Sequence, residues 1–299
     1  MKNIIITGAT GFVGRNLVKY LSKANKIEAL SVRYISNQTF TLNGDAVIHL
    51  AGKAHDLKKV SNPAEYYESN FELTKQLFDA FVKSDATVFI FMSTVKAVAD
   101  EVLDELTEDS IPNPKTHYGI AKRQAEEYIL NATLPVGKRV FILRSCMIHG
   151  PENKGNLNLL YKLVSIGLPW PLGAFENKRS FLSIENLCFV INELLQNMTI
   201  PSGIYNVADS DALSTNELIQ LLGDSLSKRN KILKLSPNLI KQIAKLGDSL
   251  HLPLNTERLQ KLTESYKVSN SKICAAIKKE LPVESKAGLL RTFNSFKKK

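Results

Sequence analysis

Tyr118 and Lys122 stand four apart in THYGIAKRQAEEYIL, the spacing that brings two side chains onto one face of a helix. An ammonium beside a phenol stabilises the phenolate and draws its pKa down from about 10, so Tyr118 is a candidate general acid or base. The apolar run TVFIFMST ends in Ser93 and Thr94. As a strand of an open parallel sheet it would deliver both hydroxyls to the edge where such sheets bind ligands, within reach of the same reacting oxygen. A third feature opens the chain. IIITGATGFVGRNLVKYL carries Gly8, Gly11 and Gly14 between an apolar run and a helical pattern. Glycines permit a tight turn and a close backbone approach, and the next helix offers unpaired N–H groups and a positive dipole end, which together cradle a pyrophosphate. Thr10, Phe12 and Val13 lie in that turn and the first helical turn. The strand–turn–helix context is the one a dinucleotide-binding turn requires. At the end of the second apolar run, where such folds place a carboxylate for the ribose hydroxyls, Arg33 stands instead. A guanidinium there can take a 2′-phosphate, which favours NADP and leaves NAD open.

The elements that must position these residues alternate in type. Apolar, β-branched runs at 3–7, 27–33, 46–51, 87–93 and 140–145 read as strands, with helical patterns at 13–22, 63–82 and 118–131 between them. The runs are continuously apolar, which suits a parallel sheet covered on both faces. Strand–helix alternation predicts an α/β, doubly wound parallel (Rossmann) sheet. After His149 proline and glycine interrupt the pattern. A helix-like ENLCFVINELLQ follows, its core face being Leu187, Val190, Ile191, Leu194 and Leu195, and then a strand-like GIYNVAD. The expected division is a dinucleotide-binding domain over 1–150, with some later segments returning to it, and a smaller substrate lobe over most of 151–299.

Composition narrows the classes. The 299 residues are 44% hydrophobic and 23% charged, enough for a substantial core and against disorder. The apolar runs are far shorter than the roughly 20 residues of a membrane helix, and the first residues do not read as a secretion signal. Cys146, Cys188 and Cys274 are too few and too widely spaced for a disulfide framework or a zinc site, so a reducing cytoplasm is expected. Cys146 reads as a small core residue. His55 reads as a polar loop residue near a substrate, since five scattered histidines make no metal cluster. The formal charge of +10 has its small clusters at Lys228-Arg229, Lys278-Lys279 and the terminal lysines. It suits nucleic acid, an anionic membrane surface or a phosphorylated substrate and cofactor. With no aromatic residues interleaved among the basic ones, nucleic acid is not expected.

The order GATGFVG, HLAG, the strand ending in Ser93-Thr94, YGIAK and LRSCMIHGP resembles the extended short-chain dehydrogenase/reductases of the epimerase/dehydratase family. MSTVKAVAD, YGIAKRQAE, GNL and NKRSFLS are similar to stretches of the bacterial UDP-hexosamine 4-epimerase-like and 4-ketoreductase-like enzymes of polysaccharide synthesis, over nearly the whole chain and more weakly after about residue 235. The resemblance implies that Thr94, Tyr118 and Lys122 form the catalytic triad. It implies that Leu50, Ala51 and Gly52 line the cofactor groove, that Asn70 supports the cofactor, and that Ser145 lies beside the nicotinamide. It implies that Lys96, Asn156 and Arg179 contact the nucleotide sugar, Arg179 being a planar fork suited to phosphate oxygens. A homodimer is compatible with it.

The departures are as informative. Val95 and Lys96 follow Thr94 where dehydratases of the family carry an acidic pair, so dehydration of the sugar is not expected. Met147 stands where glucose-type 4-epimerases often carry asparagine, and Ser145 where many relatives carry proline. Only residues 34–45 separate the second strand from AVIHLA, too few for another strand and helix, so the adenine-binding edge is expected to be abbreviated. Three functions compete. A 4-epimerase oxidises and re-reduces C4 of the sugar; a 4-ketoreductase only reduces it; a non-catalytic NAD(P)-sensing protein needs no Tyr118–Lys122 pair.

Overall fold

The computed structural model describes residues 1–53, 62–153, 155–250 and 254–297. The first part runs β1 (Asn3–Thr7), α1 (Phe12–Leu21), β2 (Lys26–Leu30), β3 (Ala46–His49), α2 (Ala64–Tyr67), a π-helical stretch (Glu68–Glu72), α3 (Leu73–Lys83), β4 (Val88–Thr94), a 3-10 turn (Val95–Ala97), β5 (Glu105–Leu106), α4 (His117–Leu130), β6 (Arg139–Ser145) and β7 (Met147–His149). Then come α5 (Asn156–Ser165), β8 (Phe181–Ser183), α6 (Ile184–Gln196), β9 (Gly203–Val207), α7 (Thr215–Leu226), α8 (Pro237–Leu250), α9 (Thr256–Thr263), β10 (Lys267–Val268), α10 (Ser271–Ile277) and α11 (Ser285–Phe296).

Six strands form a parallel sheet in the order β2-β1-β3-β4-β6-β9. Alternate residues of each inner strand feed two different cores. Ile4, Ile6, Ala46, Ile48, Val88, Ile90, Phe141 and Leu143 face the core completed by Leu17 and Leu21 of α1 and by α6. Ile5, Val47, Phe89, Phe91, Val140 and Ile142 face the core completed by α3 and α4. Both sheet faces are therefore covered, which is why the strands read as continuous apolar runs rather than alternating ones. The fold is the expected doubly wound α/β arrangement.

The differences from the sequence reading have local causes. The second strand stops at Leu30, three residues before Arg33, because β1, its one partner among the described residues, ends at Thr7, where Gly8 turns the chain away at φ +69°. Residues 31–45 form neither strand nor helix, leaving β2 as a half-exposed sheet edge that carries Lys26 and Glu28. The helix expected over 63–82 contains the π-helical stretch Glu68–Glu72. From the second half, β9 pairs with β6 and α6 packs on α1. A separate core joins Trp170, Leu218, Leu222, Ile240, Leu259 and Phe293. Cys146 and the five core positions of α6 are buried as expected. His55 lies outside the described residues, and no described helix is long and apolar enough to cross a membrane.

The first turn of α1 lies directly on the β1–α1 turn. A Cβ on Gly14 would stand 2.2 Å from the Gly8 carbonyl oxygen and 2.6 Å from Ala9 Cα, both backbone atoms that cannot rotate away. Alanine normally stabilises a helix relative to glycine. Here Gly14→Ala should do the opposite and cost about 1–3 kcal/mol, the scale of overpacking. A thermal melt showing an unchanged or raised midpoint would mean that the turn yields without cost.

Candidate active site

Four chain segments meet at the carboxyl ends of β1, β3, β4 and β6. In the first, Gly11 caps α1 with extended backbone, no side chain accepts from the leading N–H groups, and the first turn holds no acid. The Gly11 N–H is taken up by Gly8 O at 3.1 Å. The N–H groups of Phe12, Val13 and Gly14 therefore face outward with the positive end of the helix dipole, a site for an anion. Thr10 is exposed, and Phe12 and Val13 are half-buried. The second segment, Leu50-Ala51-Gly52, approaches so closely that a Cβ on Gly8 would lie 2.8 Å from Ala51 N and 2.9 Å from the Leu50 carbonyl carbon.

The third and fourth segments supply the reactive groups. Register in the β4–β6 pair sets Thr94 opposite Ser145, and the Ser145 hydroxyl donates to Ser93 O at 3.2 Å. Thr116 caps α4 by accepting from Gly119 N, so Tyr118 and Lys122 fall in the first turns of that helix. The Tyr118 hydroxyl is hydrogen-bonded to the Thr94 side chain, and the Tyr66 ring meets Tyr118 edge-on at 6.1 Å. Lys122 is buried, donates to Met92 O at 2.8 Å and lies over the Phe91 ring. The sequence led us to expect Lys122 to lower the phenol's pKa. In this protein desolvation dominates and pushes Tyr118 up to about 12, with the Thr94 hydrogen bond pulling the other way. Burial likewise brings Lys122 down to about 8, against the attraction of Glu126. At neutral pH Tyr118 holds its proton and can donate it.

Asn70 is fully buried in the π-helical stretch, with its Nδ2 on Lys53 O at 3.1 Å and its Oδ1 without a partner among the described residues. A Cβ on Gly52 would stand 2.4 Å from that oxygen and 3.5 Å from Lys122 Nζ, so Gly52, Asn70 and Lys122 converge. A relay that sequence reasoning missed holds them. Ala51 N–H donates to Thr7 Oγ1 at 3.1 Å, and the Thr7 hydroxyl meets His49 Nδ1 at 2.7 Å. His49 Nε2 meets Thr74 Oγ1 at 3.0 Å, and that hydroxyl donates to Asn70 O at 2.9 Å. Because Thr74 spends its hydrogen on Asn70, His49 must carry its proton on Nε2 and accept on Nδ1. Burial, with Lys122 nearby, lowers its pKa to about 3, so it stays neutral. The π-helical stretch is what turns Asn70 inward, as such stretches do at functional sites. Beneath Lys122, Glu126 accepts from Ser93 at 2.5 Å and from Arg144 at 2.7 and 3.0 Å, all three residues buried. The signals for His49 and Arg144 are polar residues inside the apolar runs AVIHLA and VFILRS; Glu126, in KRQAEEY, carries none.

The remaining candidates are dispersed. Arg33 is exposed past β2 and makes no hydrogen bond or ion pair with the described residues. Lys96 donates to Asp100 O at 2.6 Å and lies over the Tyr266 ring. Half-buried Arg179 donates to Lys261 O and bridges Leu213 and Tyr266 through its backbone. Burial lowers the pKa of both cations; Asp100, Glu264 and Glu101 oppose it at Lys96, where Arg179 adds to the lowering, and Glu264 opposes it at Arg179. Arg179 is near enough to act on Lys96, and the carboxylates of Asp100, Glu101 and Glu264 share their surroundings. Asn156 opens α5, and its side chain lies outside what the structure describes.

The pattern of the NAD dependent epimerase/dehydratase family matches residues 4–208, which span the glycine turn, Thr94, Tyr118 and Lys122. The chain belongs to this family. It is 32% identical over 252 residues to UDP-glucose 4-epimerase of Vibrio cholerae, covering 76% of each chain. It is 29% identical over 245 residues to N-acetyl-alpha-D-glucosaminyl-diphospho-ditrans,octacis-undecaprenol 4-epimerase of Escherichia coli O157:H7, covering 76% of this chain and 73% of that one. The crystal structure of UDP-N-acetylglucosamine 4-epimerase from Bacillus cereus shares the fold with a TM-score of 0.76 at 21% identity, over 100% of both chains. This epimerase-family protein is an NAD(P)-dependent enzyme of the extended short-chain dehydrogenase/reductase type. The residues present fit a dinucleotide: an uncapped helix start, a groove floor with no room for a Cβ, and an orphaned Asn70 oxygen beside it.

Lys122 has an ordinary pKa of 10.5 when unfolded and about 8 here. At neutral pH the folded state therefore carries a desolvated charge that the unfolded state does not, and this costs stability. The cost is full below about pH 8 and fades as pH rises toward 10.5, because the unfolded chain then binds the extra proton. Lys122→Met should raise the melting temperature at pH 7 and lose that advantage above pH 8. A variant less stable than the parent at pH 7 would show that the Met92 hydrogen bond outweighs desolvation.

Proposed function

We propose that this enzyme moves a hydride between a nicotinamide dinucleotide and C4 of a nucleotide sugar, a UDP-hexose or UDP-N-acetylhexosamine. It would do so in the cytoplasm, as a 4-epimerase or 4-ketoreductase of surface polysaccharide synthesis. The observation that carries the reading is the Thr94–Tyr118 hydrogen bond, with Lys122 one helical turn on, at the same strand ends as the glycine turn. Residues 1–150, joined by α6 and β9, would hold the dinucleotide, and most of 151–299 the sugar.

The N–H groups of Phe12, Val13 and Gly14 would bind the pyrophosphate. Leu50, Ala51, Gly52, Asn70 and Ser145 would line the dinucleotide groove, and Lys122 would fix its ribose. When bound, the nicotinamide supplies the carbon that takes or gives the hydride. Tyr118 delivers a proton to the sugar's O4 as negative charge develops there, or takes it back, while Thr94 holds the same oxygen. A phenol that keeps its proton up to about pH 12 is already in the form that a reduction requires. Lys96, Arg179 and Asn156, the last at the head of α5, would contact the diphosphate of the nucleotide sugar. Dehydration is disfavoured, because Val95 is buried and Lys96 brings a cation where a carboxylate is needed. A nucleotide sensor would gain nothing from a hydroxyl, phenol and ammonium held together.

Tyr118→Phe should leave folding and cofactor binding intact and cut turnover about 100-fold or more. Near-parental turnover on a UDP-hexose or its 4-keto form would remove Tyr118 from the proton step.

Arg33 bears on the cofactor and, through it, on the reaction. Free and exposed, it meets a phosphate dianion in NADPH but only hydroxyls in NADH. A charge-assisted contact of about 1.5–3 kcal/mol corresponds to roughly 10- to 150-fold preference. Arg33→Asp should lose that preference in a fluorescence titration. A one-way reductase suits a released NADPH, whereas an epimerase must return the same hydride and gains by retaining NAD. Equal or tighter NADH binding by the parent, unchanged in the variant, would reject NADP and assign the epimerase.

A further inference from the structure

The basic excess of this chain has a centre away from the candidate active site. Between Asp224 and Asp248 there is no acidic residue and there are six basic ones: Lys228, Arg229, Lys231, Lys234, Lys241 and Lys245. All six are exposed, and together they account for six of the ten formal charges.

The same segment ends in α8, which has two apolar faces. Ile240, Ala244 and Gly247 are buried against the separate core around Trp170 and Phe293, and a Cβ on Gly247 would lie 1.9 Å from Leu254 O, so the helix is seated closely and cannot roll. The other face carries Leu239, Ile243, Leu246 and Leu250, spaced 4-3-4, which confines them to an arc of about 60° at 3.6 residues per turn. Their exposures are 49%, 39%, 61% and 66%. Leu233 and Leu235, in the strand-like lead into the helix, are exposed too. An aliphatic stripe on a surface helix normally faces a core; this one faces outward while a second stripe does the packing. A row of this kind marks an interaction site.

We propose that α8 docks this enzyme on an anionic phospholipid bilayer. The stripe would enter the boundary between headgroups and acyl chains, and the basic residues of 228–245 would meet lipid phosphates, their long stems reaching along the surface. Charge complementarity selects this occupant. A second copy laid on the same face would set two segments of +6 against one another, and a nucleic acid would leave four aliphatic side chains in water. α8 packs against α9, whose Lys261 carbonyl accepts from Arg179. The candidate substrate cations would therefore sit one helix away from the membrane.

Co-sedimentation of the full chain with vesicles of phosphatidylcholine alone, or of phosphatidylcholine with about one third phosphatidylglycerol, tests this. The expected result is binding to the anionic vesicles only, weakened at least about tenfold by 0.5 M salt. Combining Leu239→Ser, Ile243→Ser, Leu246→Ser and Leu250→Ser should abolish sedimentation while leaving far-ultraviolet dichroism and the NADPH titration unchanged. Should that variant misfold, combining Lys231→Gln, Lys234→Gln, Lys241→Gln and Lys245→Gln touches no buried group and should weaken anionic-vesicle binding at least about tenfold. Three outcomes overturn the proposal: no binding to anionic vesicles, binding that survives the surface lysine changes, or a parental dimer that the serine variant converts to monomer. The last would give the stripe to a second copy.

Discussion

Backbone crowding at the end of β1 governs the arrangement of the site. Gly8 has left-handed backbone at φ +69°, and no Cβ fits between it and Leu50-Ala51 or between Gly14 and the Gly8 carbonyl. Side chains at Gly8 and Gly14 would force these segments apart. Their absence lets α1 aim its first N–H groups over the strand ends and lets β3 deliver Gly52 beside Asn70 and Lys122. The turn is thus a steric requirement before it is a binding site, and the reactive groups inherit their positions from it.

Around that contact the protein buries more polar groups than the apolar cores on the two sheet faces would suggest. His49, Thr7 and Thr74 form a directed relay from the Ala51 amide to the Asn70 carbonyl. Glu126, Arg144 and Ser93 form a second cluster under Lys122. Buried polar groups are tolerated when they find partners and costly when they do not. The relay satisfies the groups it connects and fixes the tautomer of a histidine that burial keeps neutral. Asn70 Oδ1 and Arg144 Nη1 remain without partners among the described residues, and the first faces the groove where a dinucleotide would lie. The same desolvation that costs stability at Lys122 and raises Tyr118 to about 12 creates a proton donor at neutral pH. Stability is given up at the place where chemistry would occur.

The second half of the chain divides its work. β9 completes the sheet and α6 covers one of its faces, while the core around Trp170 and Phe293 supports Arg179 through α9 and carries α8 on its outside. Most of the net charge gathers on that outer side.

Much of this was legible in the residues themselves. Parallel strands were readable because a sheet covered on both faces demands unbroken apolar runs, as in Ile4–Ile6 and Val88–Phe91. The glycine turn was readable because only glycine tolerates those close approaches, and the Tyr118–Lys122 pair because helical spacing is a local property. The shortness of the adenine edge followed from counting residues 34–45. Tertiary structure decided what depends on distance between remote segments. Where β2 ends was set by the length of β1, its one neighbour among the described residues, and not by the residues of 27–33. The direction of the Tyr118 shift was set by how much protein surrounds the phenol, which spacing to Lys122 does not reveal. The partners of His49, Glu126 and Arg144 lie up to 42 residues away, so sequence marked His49 and Arg144 only as polar residues out of place and Glu126 not at all. Which of two apolar stripes on α8 would be buried also waited on the fold, since one helix presents both and packing against the core around Trp170 and Phe293 selects Ile240, Ala244 and Gly247.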